Sequence, residues 1–317
     1  MSGIYPNGTM IDPSNCTLDT CPLSMARLTY IPSLYVNSAF SGVFILYMVI
    51  QLVQFFLYRT SGYSIGMLIG LALEILGYGA RIAMHFNPFK KITFVIQLIG
   101  LTIGPAFLSA AIYLCLGRIV TVYGPQISRI KPRLYSTIFM TCDVVSLILQ
   151  AAGGALASTG DTQDDVDMGV NIMIAGLIAQ VVSLSAFSIL CADFAIRAKR
   201  RREQHNHQHT LLRRSTIWKL LLIGLFIATI AIYIRSAYRI AELWGGFQSH
   251  LANDQTTFII FEGAMMIAGT TVLTAFHPGL AFCGTWKKMA GGAIETAQSV
   301  IVKPCSDSEY ELLGRNA

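Results

Sequence analysis

The sequence predicts an all-α membrane protein of seven transmembrane helices, with the N-terminus outside and the C-terminus in the cytosol. Three observations carry this. Of 317 residues, 54% are hydrophobic and only 13% charged, about half the charged share of an average soluble domain. The apolar residues fall into seven long blocks, and about 20 such residues in a helix cross a hydrocarbon core about 30 Å thick. Lys and Arg are unevenly shared among the loops, the bias that sets orientation. Mean hydropathy is +0.56. The net charge of +6 is no sign of nucleic-acid binding, because the bases cluster in particular loops.

Residues 1–33 are mostly polar and are read as an extracellular segment. No secretory signal peptide is expected: the first apolar block is too long for a signal h-region and lacks a basic n-region. Asn7 and Asn15 head the sequons Asn7-Gly8-Thr9 and Asn15-Cys16-Thr17, glycosylation acceptors in a lumenal segment. Cys16 and Cys21 share that segment. They form a disulfide in an oxidising compartment or remain two unrelated thiols.

The transmembrane domain is placed at 34–283, with spans at roughly 34–57, 64–84, 93–117, 134–158, 169–192, 217–236 and 257–276. Span two contains LALEILGYGARIA, with Glu74, Tyr78 and Arg81 at i, i+4 and i+7 on one helix face. Glu74 and Arg81 are about 10 Å apart along the axis. They cannot pair tightly, so each needs a partner on another helix. Gly66 and Gly70 form a GxxxG that admits a close neighbour. Pro105 is expected to bend span three. Span four carries Asp143. Span six ends in IRSAYRIAEL, where Arg235, Tyr238, Arg239 and Glu242 share a face, and Arg239 and Glu242 are spaced to pair. Span seven carries Glu262, and His277 before Pro278 is expected to cap its end.

The loops fix the orientation. The 118–133 loop holds Arg118, Arg129, Lys131 and Arg133, and the 193–216 loop holds Arg197, Lys199, Arg200, Arg201, Arg202, Arg213 and Arg214. The tail, 284–317, adds Lys287, Lys288, Lys303 and Arg315 and is read as cytosolic. The opposite side has Arg27, Lys90 and Lys91, and a 159–168 loop with Asp161, Asp164, Asp165 and Asp167 but no base. His205, His207 and His209 alternate in a polar loop and are not read as a metal site; no metal and no cofactor are expected. Tyr310-Glu311-Leu312-Leu313 resembles a tyrosine-based sorting signal.

Charges at membrane depth are expensive, about 2.5–3.5 kcal/mol each on insertion scales, and usually face an interior cavity. With this orientation, Arg81, Arg235, Arg239, Glu242 and Glu262 fall in the outer half and are expected to share one polar pocket. Glu74 and Asp143 lie deeper, towards the midplane. The bland alternative is a set of salt bridges that only fix packing. Gln51, Gln54, Gln97, Gln150 and Gln180 are read as interhelical hydrogen-bonding groups.

These residues make the chain similar to the fungal lipid-translocating exporter family, linked to aminocholesterol resistance and to sphingoid long-chain-base export. The resemblance covers about 30–283. It rests on YIPSLYVN from Tyr30 to Asn37, the Glu74, Gly77-Tyr78 and Arg81 segment, RSAYRIAE from Arg235 to Glu242, and FHPG from Phe276 to Gly279. One departure is Glu262, where the family is expected to carry an aspartate; the charge is kept. The resemblance implies a plasma-membrane protein that exports sphingoid bases or sterol-like toxins or, in one branch, handles porphyrins.

Three functions follow. In a lipid exporter, Glu74, Asp143 and Glu262 attract the substrate amine, while Arg81, Arg235 and Arg239 balance those carboxylates or bind phosphate. No GxxxxGK[ST] occurs, so ATP hydrolysis by this chain is not expected. A seven-helix sensor or regulator of lipid asymmetry is the alternative, although span seven has no lysine for a retinal Schiff base and Leu116-Gly117-Arg118 stands where a receptor carries Asp-Arg-Tyr. A zinc-dependent lipid hydrolase is disfavoured, because His85, His250 and His277 form no paired motif within a span. The reading is a non-enzymatic exporter whose partners are membrane lipids, not nucleic acid.

Overall fold

The computed structural model describes residues 16, 18, 20–23, 26, 28, 30–160, 162–201, 210–245, 251–282 and 286. Ten α-helical segments lie among them: α1 (Leu34–Tyr58), α2 (Ser61–Phe86), α3 (Lys91–Tyr123), α4 (Pro132–Thr159), α5 (Gln163–Arg200), α6 (Thr210–Arg214), α7 (Thr216–Trp244), α8 (Gln255–Phe258), α9 (Met265–Ala275) and α10 (Pro278–Ala281). A π-helical turn, Ile259–Ala264, joins α8 to α9. Seven helices among the described residues are long and apolar enough to cross a membrane. The protein is a multi-pass membrane protein.

The helices outrun the apolar blocks. The seventh span is α8, the π turn and α9 in series. α3 continues through Pro105. α5 starts six residues before its apolar block because Thr162 and Asp165 form a reciprocal capping box, which satisfies two otherwise unpaired helix-end donors. α7 starts at a cap in which Trp218 N–H donates to the Ser215 hydroxyl. It then runs beyond Arg235 to Trp244, so that Arg235, Tyr238, Arg239 and Glu242 are one helical face.

Two glycine seams draw helices together. At Gly100, a Cβ would stand 2.8 Å from the Leu73 carbonyl oxygen and 2.9 Å from the Gly77 nitrogen, so α2 and α3 touch backbone to backbone. At Gly169, a Cβ would be 2.3 Å from the Ala157 nitrogen, which sets the same closeness between α4 and α5. Small residues permit such approach where helices are held by van der Waals packing. α1 packs on α2 and α9, and α7 on α9, α5 and α3.

The distribution of polarity is reversed from that of a water-soluble protein. Val49, Val53, Phe56 and Leu57 on α1 and Val144, Val145 and Ile148 on α4 face outward. Glu74, Arg81, Arg235, Arg239 and Glu262 are buried. Lipid accepts the apolar residues, and the bundle interior shelters the charges.

Glutamines join the helices. Gln51 donates to Thr274 Oγ1 at 3.1 Å and Gln54 to the Thr274 carbonyl at 3.0 Å, tying α1 to α9. Gln150 donates to Gln180 at 3.0 Å, tying α4 to α5. His277 caps the following helix rather than ending span seven: its Nδ1 accepts the Gly279 N–H at 3.0 Å at the start of α10.

Cys16 and Cys21 are joined in a disulfide, with Cα atoms 5.6 Å apart, and pack with Ala26 and Phe89. Asn7, Asn15, the alternating loop histidines and the 287–317 tail lie outside the described residues.

Candidate functional site

Six ionisable side chains meet where α2, α3, α7 and the π turn converge. The period of α2 places Glu74, Tyr78 and Arg81 along its inner face; all three are at most 1% exposed. α7 faces them with Arg235, Arg239 and Glu242. The π turn adds Glu262, which is fully buried. A π turn holds an extra residue and re-aims the side chains around it, a feature frequent at functional sites.

Each charge is held differently. Arg235 donates through Nη2 to Glu262 Oε1 and to the Leu101 carbonyl. Arg239 Nη1 lies 2.5 Å from Glu242 Oε2, the i,i+3 pair that the spacing allows, and its Nη2 donates to Thr102 Oγ1 at 3.4 Å. Arg81 has no carboxylate within ion-pair distance among the described residues. It donates from Nε to Asn37 Oδ1 at 3.0 Å and from Nη2 to the Tyr30 hydroxyl at 2.9 Å, and it lies 3.8 Å over the Phe258 ring. Neutral dipoles and an aromatic face stabilise this cation.

Glu74 is the exception. It is fully buried, and neither carboxylate oxygen has a hydrogen-bond partner among the described residues. Its charged neighbours are Arg235, Glu262 and Arg239. Oε1 points at Gly104 on α3, where a Cβ would stand 2.9 Å away. A buried acceptor without a hydrogen-bond partner is expensive. Counted with every carboxylate ionised, the cluster has three cations (Arg81, Arg235, Arg239) and three anions (Glu74, Glu242, Glu262), which balance.

Two tyrosines complete the site. Tyr78 stacks with Phe44 at 5.5 Å and meets Phe40 edge-on at 5.3 Å. Tyr238 stacks on Phe261 of the π turn at 5.5 Å. Neither hydroxyl has a hydrogen-bond partner among the described residues. They are two further polar groups aimed into the same interior.

Asp143 does not join this cluster. It accepts from the Tyr113 hydroxyl at 3.0 Å, beside the Tyr113, Phe139 and Phe187 rings of α3, α4 and α5. Tyr113 lies nine residues beyond Gly104 on α3, about 13 Å along the axis.

Sequence reasoning singled out neither Tyr30, Asn37, Thr102, Gly104 nor Phe258 as site residues. Tyr30 and Asn37 stand at the two ends of YIPSLYVN, a short segment whose role was not visible in its composition. Thr102, Gly104 and Phe258 look like ordinary span residues, and only their neighbours give them a role. Thr102 also lines a cavity of about 440 Å³ between α3, α4 and α5, with Leu98, Gln150 and Met173. No group of three or more His, Cys, Asp or Glu suited to a metal exists among the described residues.

A family model described as "RTA1 like protein" matches residues 67–285. The chain is 32% identical to "Sphingoid long-chain base transporter RSB1" of Saccharomyces cerevisiae (strain Lalvin EC1118 / Prise de mousse), over 80% of this chain and 74% of that protein. It is 31% identical to "Protoporphyrin uptake protein 1" of Saccharomyces cerevisiae (strain ATCC 204508 / S288c), over 67% of each. It is 30% identical to "Protein RTM1" of Saccharomyces cerevisiae, over 64% of this chain and 63% of that protein. No solved structure matches the chain significantly.

Proposed function

This chain belongs to the RTA1-like protein family, and from that premise we propose that it is a lipid-translocating exporter of the plasma membrane. Its substrates in this reading are sphingoid long-chain bases or related amphiphiles, sterol-like toxins included, moved outward. The N-terminus is outside and the C-terminus cytosolic. The single observation that supports the reading most is Glu74, a fully buried carboxylate with no hydrogen-bond partner among the described residues. A protonated amine brings three donors and a positive charge, the complement of that acceptor. The likeness to a sphingoid long-chain base transporter points to the same chemistry.

The charge count supports a mechanism. With Glu74 ionised, the cluster is neutral. A bound ammonium makes it +1, and a proton on Glu74 also makes it +1. Ammonium and proton are therefore electrostatically interchangeable at this place. Exchange of one for the other would drive uphill export without ATP, which suits a sequence with no P-loop. Arg235 and Arg239 remain neutralised by Glu262 and Glu242 throughout. The alkyl chain stays among apolar side chains, and Tyr78 and Tyr238 offer hydroxyls to those of the substrate.

The test is release of labelled phytosphingosine from cells lacking their own exporters. The intact chain should release it, and an uncoupler that collapses the proton gradient should stop that release. Glu74→Gln, confirmed at the cell surface, should abolish it. No release by a surface-resident intact chain would remove the sphingoid-base reading. Release indifferent to the uncoupler would remove proton exchange alone. A second reading, porphyrin handling, is favoured by the likeness to a protoporphyrin uptake protein; labelled protoporphyrin in the same cells separates the two.

A further inference from the structure

A second cavity lies away from the charged cluster, between α3, α5 and α7. Its volume is about 1220 Å³, above the roughly 300–1,000 Å³ of ordinary small-molecule sites. Its walls are apolar, with Leu116, Ile119, Phe187, Leu222 and Phe226 among them. Ser185, Ser188 and Thr229 also line it, but each hydroxyl donates to a carbonyl of its own helix. The walls therefore offer an alkyl chain little polar competition. From Ser185 to Lys199 the groove follows α5 for about 21 Å, enough to cross one leaflet of a core about 30 Å thick.

One end of the groove is basic. Lys199, Arg213 and Arg214 line it there, at the end of the bundle that carries the Lys- and Arg-rich loops. None of the three has an acidic partner within ion-pair distance among the described residues. Arg213 sits 5.6 Å over the Tyr123 ring and donates from Nη2 to Thr210. Its Nη1 is shut off from solvent and has no hydrogen-bond partner among the described residues. An orphaned guanidinium nitrogen at the mouth of an apolar groove calls for an anionic oxygen.

We propose that this groove binds an anionic phospholipid of the leaflet on the basic side. Its phosphate sits among Arg213, Arg214 and Lys199, and an acyl chain runs between α5 and α7 towards Tyr233. This site is distinct from Glu74 in position and in sign. A sphingoid-base ammonium would be repelled by three cations, so the lipid held here is not the proposed cargo. The proposal rests on the protein spanning a bilayer and stands whether or not it exports sphingoid bases.

The test uses the full chain purified in detergent and examined by native mass spectrometry. The probes are dioleoylphosphatidylserine, dioleoylphosphatidylcholine and phytosphingosine 1-phosphate. The serine lipid should be retained over the choline lipid by on the order of a hundredfold, given three cations near one headgroup. The combined variant Lys199→Gln, Arg213→Gln, Arg214→Gln should erase that preference. Equal retention of the two lipids, or a preference unchanged in the variant, overturns the proposal. Displacement of the serine lipid by an equal amount of phytosphingosine 1-phosphate overturns the choice of a phospholipid. A second readout uses Cys191, a free thiol in the groove lining. In phosphatidylcholine vesicles, added phosphatidylserine should slow its alkylation by N-ethylmaleimide several-fold in the intact chain and not in the combined variant. An unchanged rate in the intact chain, or equal slowing in the variant, also overturns the proposal.

Discussion

Glu74 Oε1 occupies the space that a side chain on Gly104 would need, since a Cβ there would stand 2.9 Å from it. The carboxylate is packed against the backbone of α3 while holding no hydrogen bond among the described residues. Steric fit against α3 and the field of Arg235, Arg239 and Glu262 set its position, with no hydrogen bond among the described residues to fix it. That makes it sensitive to small changes on the neighbouring helix.

Gly104→Ala should therefore move the carboxylate at little cost to the fold, because the nearest atom is the end of a flexible side chain and the next, the Gly70 carbonyl oxygen at 3.3 Å, need yield only slightly. Phytosphingosine release should fall on the order of tenfold or more, as displacement of a reacting or binding group by about 1 Å does. Surface abundance should hold. Gly100→Ala should act in the opposite way: its Cβ meets the Leu73 and Gly77 backbone, and overpacking of about 1–3 kcal/mol should lower the amount of folded protein at the surface.

The Arg235–Glu262 pair joins α7 to the π turn, with side chains 3% and 0% exposed. Removing one partner leaves the other charge buried, a loss of about 3–5 kcal/mol. Glu262→Gln should lower the Tm of the detergent-purified chain markedly. Arg235→Met with Glu262→Met should recover much of it, because an apolar pair carries no desolvation penalty. A double variant no more stable than Glu262→Gln would count against a mainly electrostatic role for the pair.

Arg81 needs its planar guanidinium. Nε and Nη2 reach Asn37 and Tyr30 together, and the plane covers Phe258. Arg81→Lys keeps the charge but cannot reproduce this fork. A loss of about 1.5–3 kcal/mol, the value of a hydrogen bond to a charged group, should appear as a lower Tm.

The Cys16–Cys21 disulfide and the two N-terminal sequons give a test of orientation. With that segment outside, Cys16 and Cys21 should resist maleimide on intact cells until a reductant is added. Endoglycosidase should then shift the mobility of the intact chain but not of an Asn7→Gln, Asn15→Gln variant. No labelling by a membrane-impermeant maleimide on intact cells even after reductant is added, together with no glycosidase shift, would place the segment on the other side.

The sequence by itself determined the seven spans and their helical character. Apolar blocks of sufficient length leave the backbone in lipid no alternative to the helix. It also determined which charges share a helix face, because the 3.6-residue period converts spacing into direction. The Glu74, Tyr78 and Arg81 stripe and the Arg239–Glu242 pair were legible for that reason.

What only the tertiary structure decided is which helix each face meets. The period of one helix contains nothing about its neighbours. Asp143, equal to Glu74 in the sequence reading, turns to Tyr113 because α4 lies against α3 and α5 rather than α7. Tyr30 and Asn37 become the ligands of Arg81 because α1 packs on α2. Glu262 reaches Arg235 from a π turn that no hydropathy pattern announces. Interhelical packing, set by glycine seams and by the need of each buried charge for a partner, sorted the polar residues into a balanced cluster with one carboxylate left unbonded among the described residues.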